Sequence, residues 1–319
     1  RSLAIVISTD RQTDMAKSTQ EVMLIKNIYI VFYTCHASFN ALQTEAVFYF
    51  IRGNSLFVKN DYENYLCTLL MDGDQRRHAF ALRAFNVEVL SDEQIGKMKL
   101  QFWQNSLDKC YAPAQCYVSD HPVLRELKLT IDKNELSKLY LKRLVAARDR
   151  SPNEQFMTVK QLEEYAEQSS SSLYYLLVEL CGVKDLNVDH AISHLGKAQG
   201  IANLLRAIPY KGRSEALNIP QETLIKHGVS QERILRSTDN DKGVEDCVFE
   251  IATVAHQHLE KVHKKVDDLI FNSGFKVFPL AYFLPSFLFQ RHELTDQRCM
   301  QRDSLLPFAL FWHKVRARF

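Results

Sequence analysis

Between residues 194 and 220 the chain reads HLGKAQGIANLLRAIPYKGRSEALNIP, a stretch that joins a helical pattern to a basic loop. Apolar residues recur on one helical face within it and just before it, at Val188, Ala191, Ile192, Leu195, Ala198, Ala202 and Leu205. This spacing is typical of a helix that packs one face into a core. Pro209 is expected to end the helix, because proline lacks the backbone N–H that would continue it. Lys211 and Arg213 follow in the loop.

Helical spacing continues on both sides of this stretch. It recurs over residues 244–262 and predicts further helices at residues 61–70, 75–90, 93–111, 134–148 and 159–181. Gly182 lies where a left-handed cap would end the last of these helices, and Pro113 and Pro122 are predicted to flank a loop. No strand-like alternation occurs after residue 59. The sequence therefore predicts an all-α fold, with one domain over residues 57–319 and an N-terminal extension over residues 1–56.

Composition excludes several classes of protein. The 319 residues include 40 Lys and Arg against 38 Asp and Glu, and a net charge of +2 gives no electrostatic support for nucleic-acid binding. The seven cysteines are scattered and none forms a C-x-x-C pair, which argues against a disulfide framework and a structural zinc site. The chain has no apolar run of the roughly 18 residues expected of a membrane-spanning helix.

Two clusters of side chains with metal-binding chemistry fall on predicted helices. The histidines are His256, His258 and His263, and the acids are Glu163, Glu164 and Glu167. Helical metal pairs usually lie three or four residues apart, whereas His256 and His263 are seven apart, so we interpret the histidines as solvated or at the edge of the core. Two of the glutamates are one turn apart and could hold a divalent cation, but a solvated helix face explains them as well.

Several stretches resemble the signature of squalene and phytoene synthases. In those enzymes a helix of the form LG-x-A-x-Q-x-x-N-x-x-RD-x-x-x-D leads to a loop that ends in LP. The matching residues here are Leu195, Gly196, Ala198, Asn203, Leu205, Arg206 and Pro220. Residues 79–90 resemble their first motif, Tyr165-Ala166 their central helix, and residues 61–65 their opening helix. The resemblance covers about residues 57–315 and implies an isoprenoid-synthase bundle around a central cavity.

The chain departs from this signature where the enzymes bind magnesium. Their two Asp-x-x-x-Asp pairs place carboxylates one turn apart on a helix, and magnesium bridges each pair to a diphosphate. The second pair falls on Ala207 and Lys211, a methyl group and a cation, which opposes metal binding. The first pair falls near Leu90, Ser91 and Gln94, with Asp92 and Glu93 as the neighbouring acids. The resemblance thus implies no catalytic residues, no metal ion and no cofactor.

One branch of this family resembles the chain most specifically, through HLGKAQGI, LLRAIPY and the LLP of residues 305–307. Its members help to assemble mitochondrial respiratory complex I. The resemblance implies a non-catalytic factor that acts early in building the membrane arm, peripherally on the matrix side of the inner membrane. Its partners would be complex I subunits or other assembly factors, with no nucleic acid.

Two alternatives keep the same scaffold. One is a divergent prenyl transferase that uses diphosphate substrates, with acids such as Asp92, Glu93, Glu163, Glu164 and Glu167 converging on one cavity. The other is a lipid-binding module with an apolar cavity and a basic rim. In the non-catalytic factor, Arg206, Lys211 and Arg213 are candidates for binding an anion such as a lipid phosphate or a partner's carboxylate, although a solvated basic loop also explains them.

Overall fold

The computed structural model describes residues 61–69, 71, 73–90, 96–112, 121–150, 154–208, 218–236 and 241–273. In these parts of the chain the regular elements are all helical. They are α1 (Tyr62–Leu69), α2 (Gly73–Leu90), α3 (Gly96–Cys110), α4 (Pro122–Asn134), α5 (Lys138–Ala146), α6 (Val159–Ala166), α7 (Ser172–Leu180), α8 (Leu186–Arg206), α9 (Gln221–Lys226), α10 (Gln231–Arg236) and α11 (Lys242–Ser273). A π-helical turn, Glu167–Ser171, joins α6 to α7.

Helix α8 lies at the centre of the packing. It contacts α11 along its length, and it also packs against α6, the π turn and α7. All seven residues of its predicted apolar face are buried, so the prediction of a core helix is confirmed. Helix α2 packs against α1, α4 and α7, while α3 packs against α4 and α5.

The close packing of α8 on the π turn depends on two glycines. A Cβ atom on Gly196 would lie 2.2 Å from Ser171 Oγ and 2.4 Å from Ser171 Cα. A Cβ atom on Gly200 would lie 2.6 Å from the Cβ of Ala166. These distances are shorter than van der Waals contact, so both positions need a residue without a side chain. The glycines therefore set how closely α8 approaches the turn.

Most predicted helices are found near their expected positions. Helices α2, α3, α8 and α11 overlap the segments predicted for them, and α6, the π turn and α7 fill residues 159–180. Gly182 adopts the predicted left-handed conformation, with φ of 72°. Asp185 caps α8, because its side chain accepts a hydrogen bond from the Asn187 N–H.

The helix predicted over residues 134–148 is found as α5, Lys138–Ala146, but its predicted start is wrong. Helix α4, which was not predicted, begins at Pro122, the residue expected to end a loop, because proline suits the first helical position, whose N–H needs no partner. Helix α4 ends where Glu135 turns left-handed, with φ of 51°, and its N–H bonds to the Ile131 carbonyl. Helix α5 then begins at Lys138, four residues after the predicted start. The short helices α9 and α10 were not predicted.

Several predictions fall beyond the described residues. These are the boundary between residues 56 and 57, the helix break at Pro209 and the motif at residues 305–307. The described residues all belong to one compact unit of the chain. None of the helices described is both long and apolar enough to cross a membrane.

Candidate functional site

The second aspartate pair of the synthase signature maps to the carboxyl end of α8. Arg206 is the last residue of the helix, and Ala207 is its cap, with a backbone N–H that donates to the Asn203 carbonyl at 3.1 Å. Both residues are half-buried. The Ala207 methyl group offers no metal ligand in the position where the signature has a carboxylate. Lys211 and Arg213 lie outside the described residues, so their predicted roles stay predictions.

The first aspartate pair maps to the carboxyl end of α2. Leu90 is the last residue of that helix, and its side chain is not among those described. Ser91, Gln94 and the acids Asp92 and Glu93 also lie outside the described residues. Whether acids gather at this end of the bundle therefore stays a prediction.

A buried histidine joins three helices near the middle of α8. His258 on α11 contacts Glu163 of α6, with 2.5 Å between Nε2 and Oε1. Its other ring nitrogen, Nδ1, lies 2.8 Å from Nδ1 of His194 on α8. The His258 side chain is 7% exposed and that of Glu163 is 29% exposed. Contacts between side chains thus hold α6, α8 and α11 together across the core.

The protonation states in this chain of hydrogen bonds follow from its donors and acceptors. A carboxylate only accepts, so Nε2 of His258 donates to Glu163. In neutral His258 the other ring nitrogen, Nδ1, has no proton and accepts a hydrogen bond. The donor of this hydrogen bond is Nδ1 of His194. Burial lowers the pKa of His258 below its ordinary value of 6.5, the Glu163 carboxylate opposes this shift, and Lys197 and Lys261 add to it.

The three glutamates singled out in the sequence do not converge. Glu163 points to His258, whereas Glu167 accepts hydrogen bonds from the Tyr175 hydroxyl at 2.9 Å and the Ser193 hydroxyl at 2.7 Å. Glu164 is exposed. Among the described residues, no group of three or more His, Cys, Asp or Glu side chains is placed to hold a metal ion. The two inward glutamates instead bond to the protein itself.

The three histidines singled out in the sequence do not share one environment. His256 is largely exposed beside Glu260, at 3.5 Å, and the side chain of His263 is not described. His258 is the inward member of the three, because it continues the buried face of α11 formed by Ile251, Ala255, Leu259 and Val262. The sequence did carry a signal that His258 is buried, because it lies within the apolar stripe of its helix. The spacing between the histidines does not reveal this.

Two further sets of polar contacts link the helices: one joins Arg148 to α2 and α6, and the other joins α7 to α8. Arg148 donates to the Tyr165 hydroxyl at 3.1 Å and to Asn86 Oδ1 at 3.3 Å. Tyr174 and Gln199 are both buried, and the tyrosine hydroxyl donates to the glutamine side chain. Burial raises the pKa of Tyr174, so its hydroxyl remains protonated and able to donate.

Comparison with known proteins identifies the fold and the family. A family model described as squalene/phytoene synthase matches residues 57–282. The chain belongs to the squalene/phytoene synthase family. A solved structure of the squalene synthase HpnC from Alicyclobacillus acidocaldarius superimposes with a TM-score of 0.63 at 17% identity, covering 86% of this chain and 97% of that one. The predicted all-α isoprenoid-synthase fold is confirmed.

Curated relatives within the squalene/phytoene synthase family are much more similar in sequence. A Drosophila melanogaster protein named NADH dehydrogenase (ubiquinone) complex I, assembly factor 6 homolog is 52% identical over 278 residues, 83% of each chain. The Homo sapiens protein named assembly factor 6 of the same complex is 38% identical over 274 residues, which cover 82% of this chain and 81% of that protein. The resemblance to this branch of the family is confirmed.

Proposed function

We propose that the protein helps to assemble mitochondrial respiratory complex I as a non-catalytic member of the squalene/phytoene synthase family. The observation that carries the proposal is the name shared by the fly and human relatives, which cover more than four-fifths of the chain. Within this role we place its action early in the biogenesis of the membrane arm. Its partners are complex I subunits or other assembly factors, and it binds peripherally to the matrix side of the inner membrane.

The non-catalytic part of the proposal rests on the carboxyl end of α8. Ionisation of an allylic diphosphate needs magnesium to neutralise the leaving group, and magnesium prefers carboxylate ligands. Ala207 supplies a methyl group at one ligand position, and Lys211 places a cation at the other. Glu163 and Glu167 are already bonded to His258, Tyr175 and Ser193, which makes them poor substitutes.

Removing the protein from cells tests its role in assembly. We expect mature complex I to be largely lost on native gels, with intermediates of the membrane arm missing first. The other respiratory complexes should stay at their normal amounts. Re-expression of the wild-type chain should restore complex I. Equal loss of several complexes, or normal complex I without the protein, would contradict the proposed function.

Incubation with substrate tests the absence of catalysis. Purified full-length protein with farnesyl diphosphate and magnesium should give no condensation product above the level of a protein-free control. An active squalene synthase assayed in parallel shows that the conditions support the reaction. A product that disappears in the Glu163→Gln and Glu167→Gln variants would favour the divergent prenyl transferase instead.

A further inference from the structure

Arg83 is a buried cation in the middle of α2. Its side chain is only 4% exposed, and its ion pair within the described part of the chain is with Asp61. The Arg83 Nη1 to Asp61 Oδ2 distance is 4.0 Å, which exceeds hydrogen-bond length. The other Asp61 oxygen accepts a hydrogen bond from the Asn64 side chain at 2.6 Å. Asp61 therefore forms an ion pair with Arg83 without a direct hydrogen bond to it.

Arg83 also has a donor without an acceptor. Its Nε atom is fully buried and has no hydrogen-bond partner. A buried polar group without a partner destabilises a protein, and a buried charge does so more strongly unless it is paired. The neighbouring polar side chains Tyr174 and Gln199 bond to each other. The contacts described thus leave part of the Arg83 guanidinium group unsatisfied.

Arg148 brings a second guanidinium group to α2 through Asn86. Its Nη2 atom is 3.3 Å from Asn86 Oδ1, and Asn86 lies three residues after Arg83. Residues three apart are neighbours on a helix face. Arg148 donates to two neutral groups, the Asn86 side chain and the Tyr165 hydroxyl. The Nε atom of Arg148 is buried and has no hydrogen-bond partner. Two guanidinium groups, each with an Nε donor that has no acceptor, therefore lie beside α2.

We propose that Arg83 and Arg148 form an oxyanion site in the interior of the bundle that binds a phosphate or carboxylate group without a metal ion. The planar guanidinium fork matches the oxygen atoms of both groups and makes strong, charge-assisted hydrogen bonds to them. This proposal uses none of the candidate anion-binding residues Arg206, Lys211 and Arg213. It depends only on contacts around α2 and does not rest on the role in complex I.

Calorimetric titration of the full chain tests the site. The protein is titrated in EDTA with inorganic phosphate, and separately with propionate, against sodium chloride of equal ionic strength. We expect saturable binding of at least one of the two oxyanions and none with chloride. Tighter binding of phosphate would indicate a phosphate-bearing ligand, and tighter binding of propionate a carboxylate-bearing one.

Variants distinguish the site from a general effect of salt. Arg83→Gln should weaken binding by about 10- to 100-fold, because it removes charged hydrogen bonds. Arg148→Gln is the second variant in case Arg83→Gln does not fold. Arg125→Gln, at an exposed position of α4, should bind like the wild type. Absence of saturable binding to either oxyanion, a need for magnesium, or equal binding by all three variants would overturn the proposal.

Discussion

Gly196→Ala is expected to lower the free energy of unfolding by about 3 kcal/mol, the upper part of the range for overpacked sites. The new methyl group would lie 2.2 Å from Ser171 Oγ, 2.4 Å from Ser171 Cα and 2.6 Å from Ser171 N. The hydroxyl can rotate away, but the two backbone atoms cannot move without shifting the π turn. That turn is continuous with α6 and α7, both of which pack in the core.

Denaturant unfolding followed by circular dichroism measures this loss. Asn203→Ala is the control, because it leaves an alanine side chain at an exposed position of the same helix. We expect the control to change stability by no more than about 0.5 kcal/mol. Equal stability of the two variants would show that α8 does not approach the π turn as closely as the structure indicates.

His258→Ala is expected to lower the free energy of unfolding by about 2–4 kcal/mol, because it leaves a cavity and removes a hydrogen-bonded partner. Glu163 would lose the hydrogen bond from His258, and His194 would lose its contact with the His258 ring. The neighbouring His256→Ala removes a largely exposed ring from the same helix and should cost at most about 0.5 kcal/mol. Similar losses in the two variants would contradict a structural role for the buried contacts.

The pH dependence of stability gives an independent measure of His258. Because burial lowers its pKa in the folded state, the unfolded chain takes up the proton more readily. Stability should therefore fall as the pH drops below about 6.5, the ordinary pKa of histidine. His258→Gln keeps a donor and an acceptor but does not titrate, so its stability should fall less over this interval. An unchanged pH profile in that variant would exclude His258 as a source of the dependence.

Sequence periodicity was sufficient to predict α8, because its apolar residues keep one spacing over the whole helix and all of them are buried. Periodicity missed α4 and placed the start of α5 four residues too early. Pro122 was interpreted only as the end of a loop, although proline is equally suited to the first turn of a helix. Glu135 then breaks the chain with a left-handed residue that is neither Gly nor Asn, so composition gave no signal.

The candidate site was predicted only where a motif covers it. The position of Ala207 at the end of α8 follows from the synthase signature and the helical spacing. The contacts of His258 could not be predicted in this way, because its partners Glu163 and His194 lie 95 and 64 residues away in sequence. Periodicity indicates which face of a helix is buried, but it carries no information about which distant side chain meets that face.

The position of α11 in the sequence also affects how the chain is made. Ribosomes release a protein from its N-terminus, so α6 and α8 emerge before the helix that covers them. Until α11 is synthesised, the face of α8 that carries His194 has no permanent cover. A nascent chain at that stage presents apolar surface to its surroundings, the condition under which chaperones bind and aggregation begins. When α11 packs against α8 and His258 contacts His194, this apolar surface is covered.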